Sequence, residues 1–91
     1  MLSDNARPRP RAGFELEELD GEVVIYHPET EAIFYCNASA ALIFRLCDGE
    51  RDVAQIASVL REAYPEAAER IDADVQNTLT ELITHGALEL P

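Results

Sequence analysis

Four side chains in this chain have the chemistry for nucleophilic or acid–base work: Cys36, Cys47, His27 and His85. A nucleophile needs a base within reach and a third group to orient that base, and no recognisable motif joins these four. Cys36 closes the apolar run from Ala32 and Cys47 closes a nearly continuous one, so both read as small core hydrophobes. His27 precedes the turn proline Pro28, and His85 falls in the last turn of a helical stripe, where the dipole favours a cation. Both read as structural. Zinc sites in short chains pair their ligands as Cys-x-x-Cys or His-x-x-x-His, and neither spacing occurs here. The carboxylates Glu15, Glu17 and Glu18 sit on a solvent-facing strand, and Asp72 and Asp74 at a helix start, so solvation and the dipole account for them. No glycine-rich phosphate loop is present. The residues therefore predict no catalytic group, no metal site and no cofactor.

What must be positioned is then a surface, and composition limits which kind. Ninety-one residues at 47% hydrophobic content make a single small core. Eighteen acidic residues against seven basic ones give a formal charge of -11. The imbalance is uneven, because Met1 to Ala12 sets Asp4 against Arg7, Arg9 and Arg11, leaving the remainder more acidic than the whole. Such a body repels phosphate backbones, whose attraction supplies most non-specific nucleic-acid affinity. A basic or apolar partner is favoured instead. No apolar run approaches a membrane span, and the N-terminus lacks the apolar stretch of a secretory signal. The expected address is the cytoplasm, with both cysteines reduced.

Residues 1–13, with Arg7-Pro8-Arg9-Pro10-Arg11, favour extended backbone and offer little to bury, which predicts a flexible tail ahead of a single domain over residues 14–91. Phe14-Glu15-Leu16-Glu17 alternates as a half-buried strand does, and Asp20-Gly21 is a hairpin turn before Glu22 to His27. Pro28 to Glu31 suits a type I turn, after which Ala32 to Cys36 returns as a third strand. Pairing His27 with Ala32 puts Ile25 opposite Phe34 and Val23 opposite Cys36 on one face, with Val24, Tyr26, Ile33 and Tyr35 on the other. Asn37 and Asp52 are cap residues ahead of apolar runs, and Gly49 and Gly86 suit the left-handed conformation that follows helices. They bracket a central helix over Ala38 to Cys47, a second over Val53 to Tyr64, and a third beginning near Ile71 or Asp72 with Val75, Leu79, Leu82 and Ile83 on one face. Ala87 to Leu90 adds a short closing extended segment. The expected fold is α+β: a three-stranded antiparallel meander followed by a three-helix bundle, winged-helix-like in outline.

The order Phe34-Tyr35-Cys36-Asn37, Ala41 to Phe44, Leu46-Cys47-Asp48-Gly49-Glu50-Arg51, Ile56-Ala57, Tyr64-Pro65, Asp74-Val75, Leu79, Leu82 and Gly86 resembles the PqqD-like family. The resemblance runs from about residue 20 to about residue 90 and rests on the spacing of many weak signals. It departs at Cys36, where the family usually has Leu, and at Gly86-Ala87-Leu88, where it closes with Gly-Leu-Leu or Gly-Leu-Ile. The resemblance implies a non-catalytic peptide-recognition element of ribosomal peptide biosynthesis. In such elements the leader of a precursor peptide adds as a strand beside the third strand, in a groove against the third helix. Carried onto this chain, the site would comprise Ala32, Ile33, Phe34 and Tyr35 with Val75, Thr78, Leu79 and Leu82. The implied partners are that leader and a modifying enzyme, such as a radical S-adenosylmethionine enzyme of quinone-cofactor synthesis or a leader-dependent protease or cyclase.

Two other readings stay open from the residues alone. One is a homodimer or adaptor using the opposite sheet face through Tyr26, Ile33 and Tyr35. The other is a winged-helix DNA-binding regulator, against which charge argues: after Arg70 no Lys or Arg follows through Gly86. The purified chain is therefore expected to form no submicromolar complex with duplex DNA and to retain no zinc after dialysis. A salt-sensitive DNA complex, or stoichiometric zinc by elemental analysis, would contradict this.

Overall fold

A computed structural model describes residues 2–91, and Met1 lies outside the described residues. The chain forms β1 (Arg9–Pro10), β2 (Glu15–Leu19), β3 (Glu22–Tyr26), β4 (Ile33–Cys36), α1 (Ala38–Leu46), α2 (Val53–Ala63), a 3-10 turn (Pro65–Ala67), α3 (Ala68–Thr84) and β5 (Leu88–Glu89). Strands β2, β3 and β4 make an antiparallel sheet in that order, while β1 and β5 pair separately. Asp20 and Gly21 both take positive φ, at 50° and 82°, which is the two-residue turn that matches strand twist. It joins β2 to β3 with Leu19 opposite Glu22. On the other side of β3 the register is Val23 to Cys36 and Ile25 to Phe34, as pairing His27 with Ala32 across the turn predicts.

The inner face of this sheet meets the helices. Ile25 packs in one cluster with Ile43, Phe44 and Cys47 of the α1 segment, Ile56 and Leu60 of α2, and Val75 and Leu79 of α3. Each helix starts and stops for a visible reason. The Asn37 side chain accepts from the Ala40 amide at 2.8 Å. Asp52 and Gln55 form a reciprocal capping box, each side chain accepting the other's backbone N–H at 2.8 Å. Gly86, at φ 85°, ends α3: its N–H donates to Ile83 and the Ala87 N–H to Leu82, a Schellman closure. Among the described residues no helix is long and apolar enough to cross a membrane.

Three boundaries differ from the sequence reading. The first long strand is Glu15–Leu19, because the tight turn holds pairing up to Leu19. Helix α3 begins at Ala68, since Pro65 starts a 3-10 turn that runs directly into it with no side-chain cap at Ala67. The larger difference is the segment expected as a flexible tail. Residues 2–11 lie as an arm across the helices. The carbonyls of Ala6 and Asp4 accept from the Val53 and Ala54 amides, which are free donors of the first turn of α2. The Pro8 carbonyl accepts from Gly49, and the Pro8 ring is fully buried. Gln76 reads the Leu2 backbone on both sides, accepting its N–H at 2.9 Å and donating to its carbonyl at 3.0 Å. Arg9 adds a two-nitrogen contact to Glu89. Proline removes donors and keeps acceptors, and acceptors are what the N-terminus of a helix lacks.

Asn37→Ala is expected to cost about 1 kcal/mol through loss of the cap. Deleting residues 1–10 is expected to cost more, about 2 kcal/mol or above, since several net-favourable hydrogen bonds and a buried ring go together. Urea midpoints check both, and a deletion variant with the full-length midpoint would show that the arm does not hold the helices.

Candidate functional site

Which backbone groups of the sheet remain free follows from register. In antiparallel pairs, residues alternate between exchanging hydrogen bonds with their partner and facing away from it. The two-residue turn makes Leu19 and Glu22 a bonded pair, so Glu22, Val24 and Tyr26 bond toward β2. Val23, Ile25 and His27 then bond toward β4, and the His27 N–H donates to the Ala32 carbonyl at 3.0 Å accordingly. On β4 this spends the main-chain groups of Phe34 and Cys36 on β3. The N–H and C=O of Ile33 and Tyr35 point to the open side.

Beside that edge runs a groove of about 280 Å³ lined by Phe34, Tyr35, Cys36, Asn37, Ala40, Thr78, Glu81 and Leu82. Four of the eight residues proposed from sequence line it: Phe34, Tyr35, Thr78 and Leu82. Ile33 contributes edge backbone and turns its side chain to the outer sheet face. Ala32 precedes the strand and closes the hairpin. Val75 and Leu79 are buried in the central cluster and are not among the groove-lining residues. The reason is angular: Val75, Leu79 and Leu82 mark the stripe of α3 that faces the core, while Thr78, Glu81 and Leu82 mark the stripe beside it. Cys36, Asn37, Ala40 and Glu81 complete the lining. Ala40 could have been found as the small α1 residue three positions beyond the cap.

The aromatic side chains fix the inner side of the edge. The Phe34 ring lies 5.4 Å from His85 and 6.2 Å from Phe14, centroid to centroid, and Phe14 meets His27 edge-on at 5.0 Å. His27 Nδ1 accepts from the backbone amides of Glu29 and Thr30, so this ring is part of the turn. Burial pushes the Cys36 thiol up, and burial with the adjacent Asp48 carboxylate pushes Cys47 to about 12. The Cys47 Sγ lies 3.1 Å from the Ile43 carbonyl as its donor. Among the described residues no three His, Cys, Asp or Glu side chains gather as metal ligands. The site offers main-chain bonds and a partly apolar trough.

The Cys47 shift has a pH signature. A folded pKa raised from 9.0 to about 12 leaves its contribution fully present below about 9 and lost as pH rises toward 12. Cys47→Ala is expected to show a flatter decline of stability over that range, by denaturant titration at stepped pH. Wild-type steepness in the variant would place the thiol in water.

Comparison with known proteins agrees with this architecture. A family model described as coenzyme PQQ synthesis protein D (PqqD) matches residues 22–88. A PqqA binding protein of Pseudomonas fluorescens is 43% identical over 67 residues, covering 74% of this chain and 71% of the relative. One of Klebsiella pneumoniae is also 43% identical over 67 residues, covering 71% and 70%. The solution NMR structure of the PqqD truncation of Methylobacterium extorquens PqqCD, described as a functional, stand-alone recognition element for ribosomally synthesised, post-translationally modified peptides, superposes with a TM-score of 0.72. The two are 30% identical, and the match covers 90% of this chain and 87% of that one.

Proposed function

This chain belongs to the PqqD family, and from that premise we propose that it is a non-catalytic module that binds the leader of a PqqA-like precursor peptide by strand addition and presents it to a modifying enzyme. The observation that carries the reading is the open edge of β4. Ile33 and Tyr35 each offer a donor and an acceptor there, with a groove against α3 beside them. An extended peptide pairing with those two residues satisfies its own backbone at the same time, and its alternate side chains fall into the trough. Main-chain bonds supply affinity, while Thr78, Glu81 and Leu82 supply selection.

In this role the chain works in the cytoplasm, where the precursor is made, and needs no cofactor of its own. The receiving enzyme is of the radical S-adenosylmethionine class. Holding the leader beside that enzyme makes the second encounter intramolecular, which raises the effective concentration of the core peptide without a covalent step. The arm and the body over residues 14–91 act as one unit in this reading.

The register directs the test to one residue. Tyr35→Pro removes a free edge donor and is tolerated as proline on an edge strand is, whereas Phe34→Pro removes a bond to β3 and breaks the sheet. Against a Tyr35→Ala control that keeps the amide, Tyr35→Pro is expected to weaken leader binding by about tenfold, the worth of one hydrogen bond in a partly dry edge. Thr78→Arg, which fills the groove, is expected to weaken it as well. Calorimetric titration measures both, with circular dichroism as the fold check. Equal affinity in folded Tyr35→Pro and Tyr35→Ala would remove strand addition from the mechanism.

A further inference from the structure

The sheet has a second face that the helices do not cover. Residues alternate across a strand, so the side chains of Leu19, Val24, Tyr26, Ile33 and Tyr35 all stand on the outer side, away from the central cluster. Tyr35 is 72% exposed, Leu19 48% and Ile33 47%, which makes them the large hydrophobic residues most open to water on the sheet. They surround Val24, which is buried beneath them. A cleft of about 310 Å³ opens on this face, floored by Val24, Tyr26 and Ile33 and edged by Leu19, Glu17 and Glu31. Single exposed apolar residues need no explanation, but a contiguous group around a cleft does.

The border of the patch is of one sign. Glu15, Glu17 and Glu22 share the outer face by register, and Glu31 lines the cleft. Among the described residues no Lys or Arg lines it. Glu15 stands opposite Tyr26 and Glu17 opposite Val24, and these carboxylates, Glu17 first, hold the Tyr26 pKa up at about 12. A second copy of this chain fits badly, because an isologous contact would set these carboxylates against the same carboxylates across the axis. Both copies would also carry the full charge of -11.

We infer that the outer face of the sheet docks a partner protein whose contact surface is an apolar or aromatic patch bordered by Lys and Arg. Apolar contact at Leu19, Tyr26, Ile33 and Tyr35 supplies the area, and the carboxylate border supplies orientation and on-rate. This rests on the proposed function in one respect. A strand added beside β4 continues the outer face, since every second side chain of that strand stands next to Ile33 and Tyr35. The partner then touches module and bound peptide together, so the loaded module binds more tightly than the empty one.

The probe is the purified radical S-adenosylmethionine enzyme that modifies the cognate precursor, titrated with the full chain, empty and saturated with leader. Wild type is expected to bind it with an affinity that falls as salt rises and tightens at least threefold when leader is present. Leu19→Ser with Tyr26→Ser, and separately Glu15→Lys with Glu17→Lys, are expected to weaken enzyme binding at least tenfold. Both variants should keep wild-type leader affinity and a native circular dichroism spectrum. Folded variants that hold the enzyme with wild-type affinity would overturn the proposal, as would sedimentation showing wild type, but not the variants, as a dimer. If leader fails to bind wild type at all, the strand-addition reading fails by itself, and the variants' effect on the empty chain still decides this one.

Discussion

Each residue of a strand can direct its main-chain N–H and C=O to one neighbour only, and the rest of this structure depends on how β3 divides them. Glu22, Val24 and Tyr26 serve β2, while Val23, Ile25 and His27 serve β4. Phe34 and Cys36 answer from β4, and among the described residues no strand lies beyond Ile33 and Tyr35. Those groups are solvated rather than buried, so they cost little as they stand. They also form a short and specific template for one more strand. A residue's backbone and side chain point at right angles here. Phe34 and Cys36 therefore give the sheet its bonds and the groove its wall, while Ile33 and Tyr35 give the edge its bonds and the outer face its apolar surface.

Elsewhere the same need for partners is met from within the chain. The first-turn amides of α2 find the arm's carbonyls, the end of α3 closes on Gly86 and Ala87, and Asp48 accepts from the amides of Glu50 and Arg51. Those two amides, more than the Arg51 charge, hold the Asp48 carboxyl below its usual range. With these helix ends satisfied and the arm held by its carbonyls, the β4 edge stands out as a place where extended backbone meets solvent beside a partly apolar trough. Ile25, Val75 and Leu79 are already packed in the core behind that edge.

Much of this was legible in the sequence, for reasons that are local. Asp20-Gly21 announces a turn whose twist sets the register, and the turn that pairs His27 with Ala32, with the two-residue period of a strand, then fixes which side chains share a face. Asn37, Asp52 and Gly86 are signals that act within three or four residues of themselves. The arm was not legible, because its hold comes from carbonyl groups, which every residue carries, and from Pro8 and Gln76, which announce no distant contact. The groove was half legible. The resemblance carries Val75, Thr78, Leu79 and Leu82 onto α3 as one set, but Val75 and Leu79 belong to the hydrophobic stripe that is buried. The wall facing β4 belongs to the next stripe, with Thr78 and Leu82, and there Glu81 carries no apolar mark that could have announced it.

Amide hydrogen exchange on β4 tests the central claim most directly. In the free chain the Phe34 and Cys36 amides, bonded to β3, should be protected, and those of Ile33 and Tyr35 should exchange as exposed groups do. Saturation with the cognate leader should protect Ile33 and Tyr35 and leave Phe34 and Cys36 nearly as they were. Ile33 and Tyr35 amides that exchange at the same rate with leader bound would contradict strand addition at this edge, whatever the affinity of the complex.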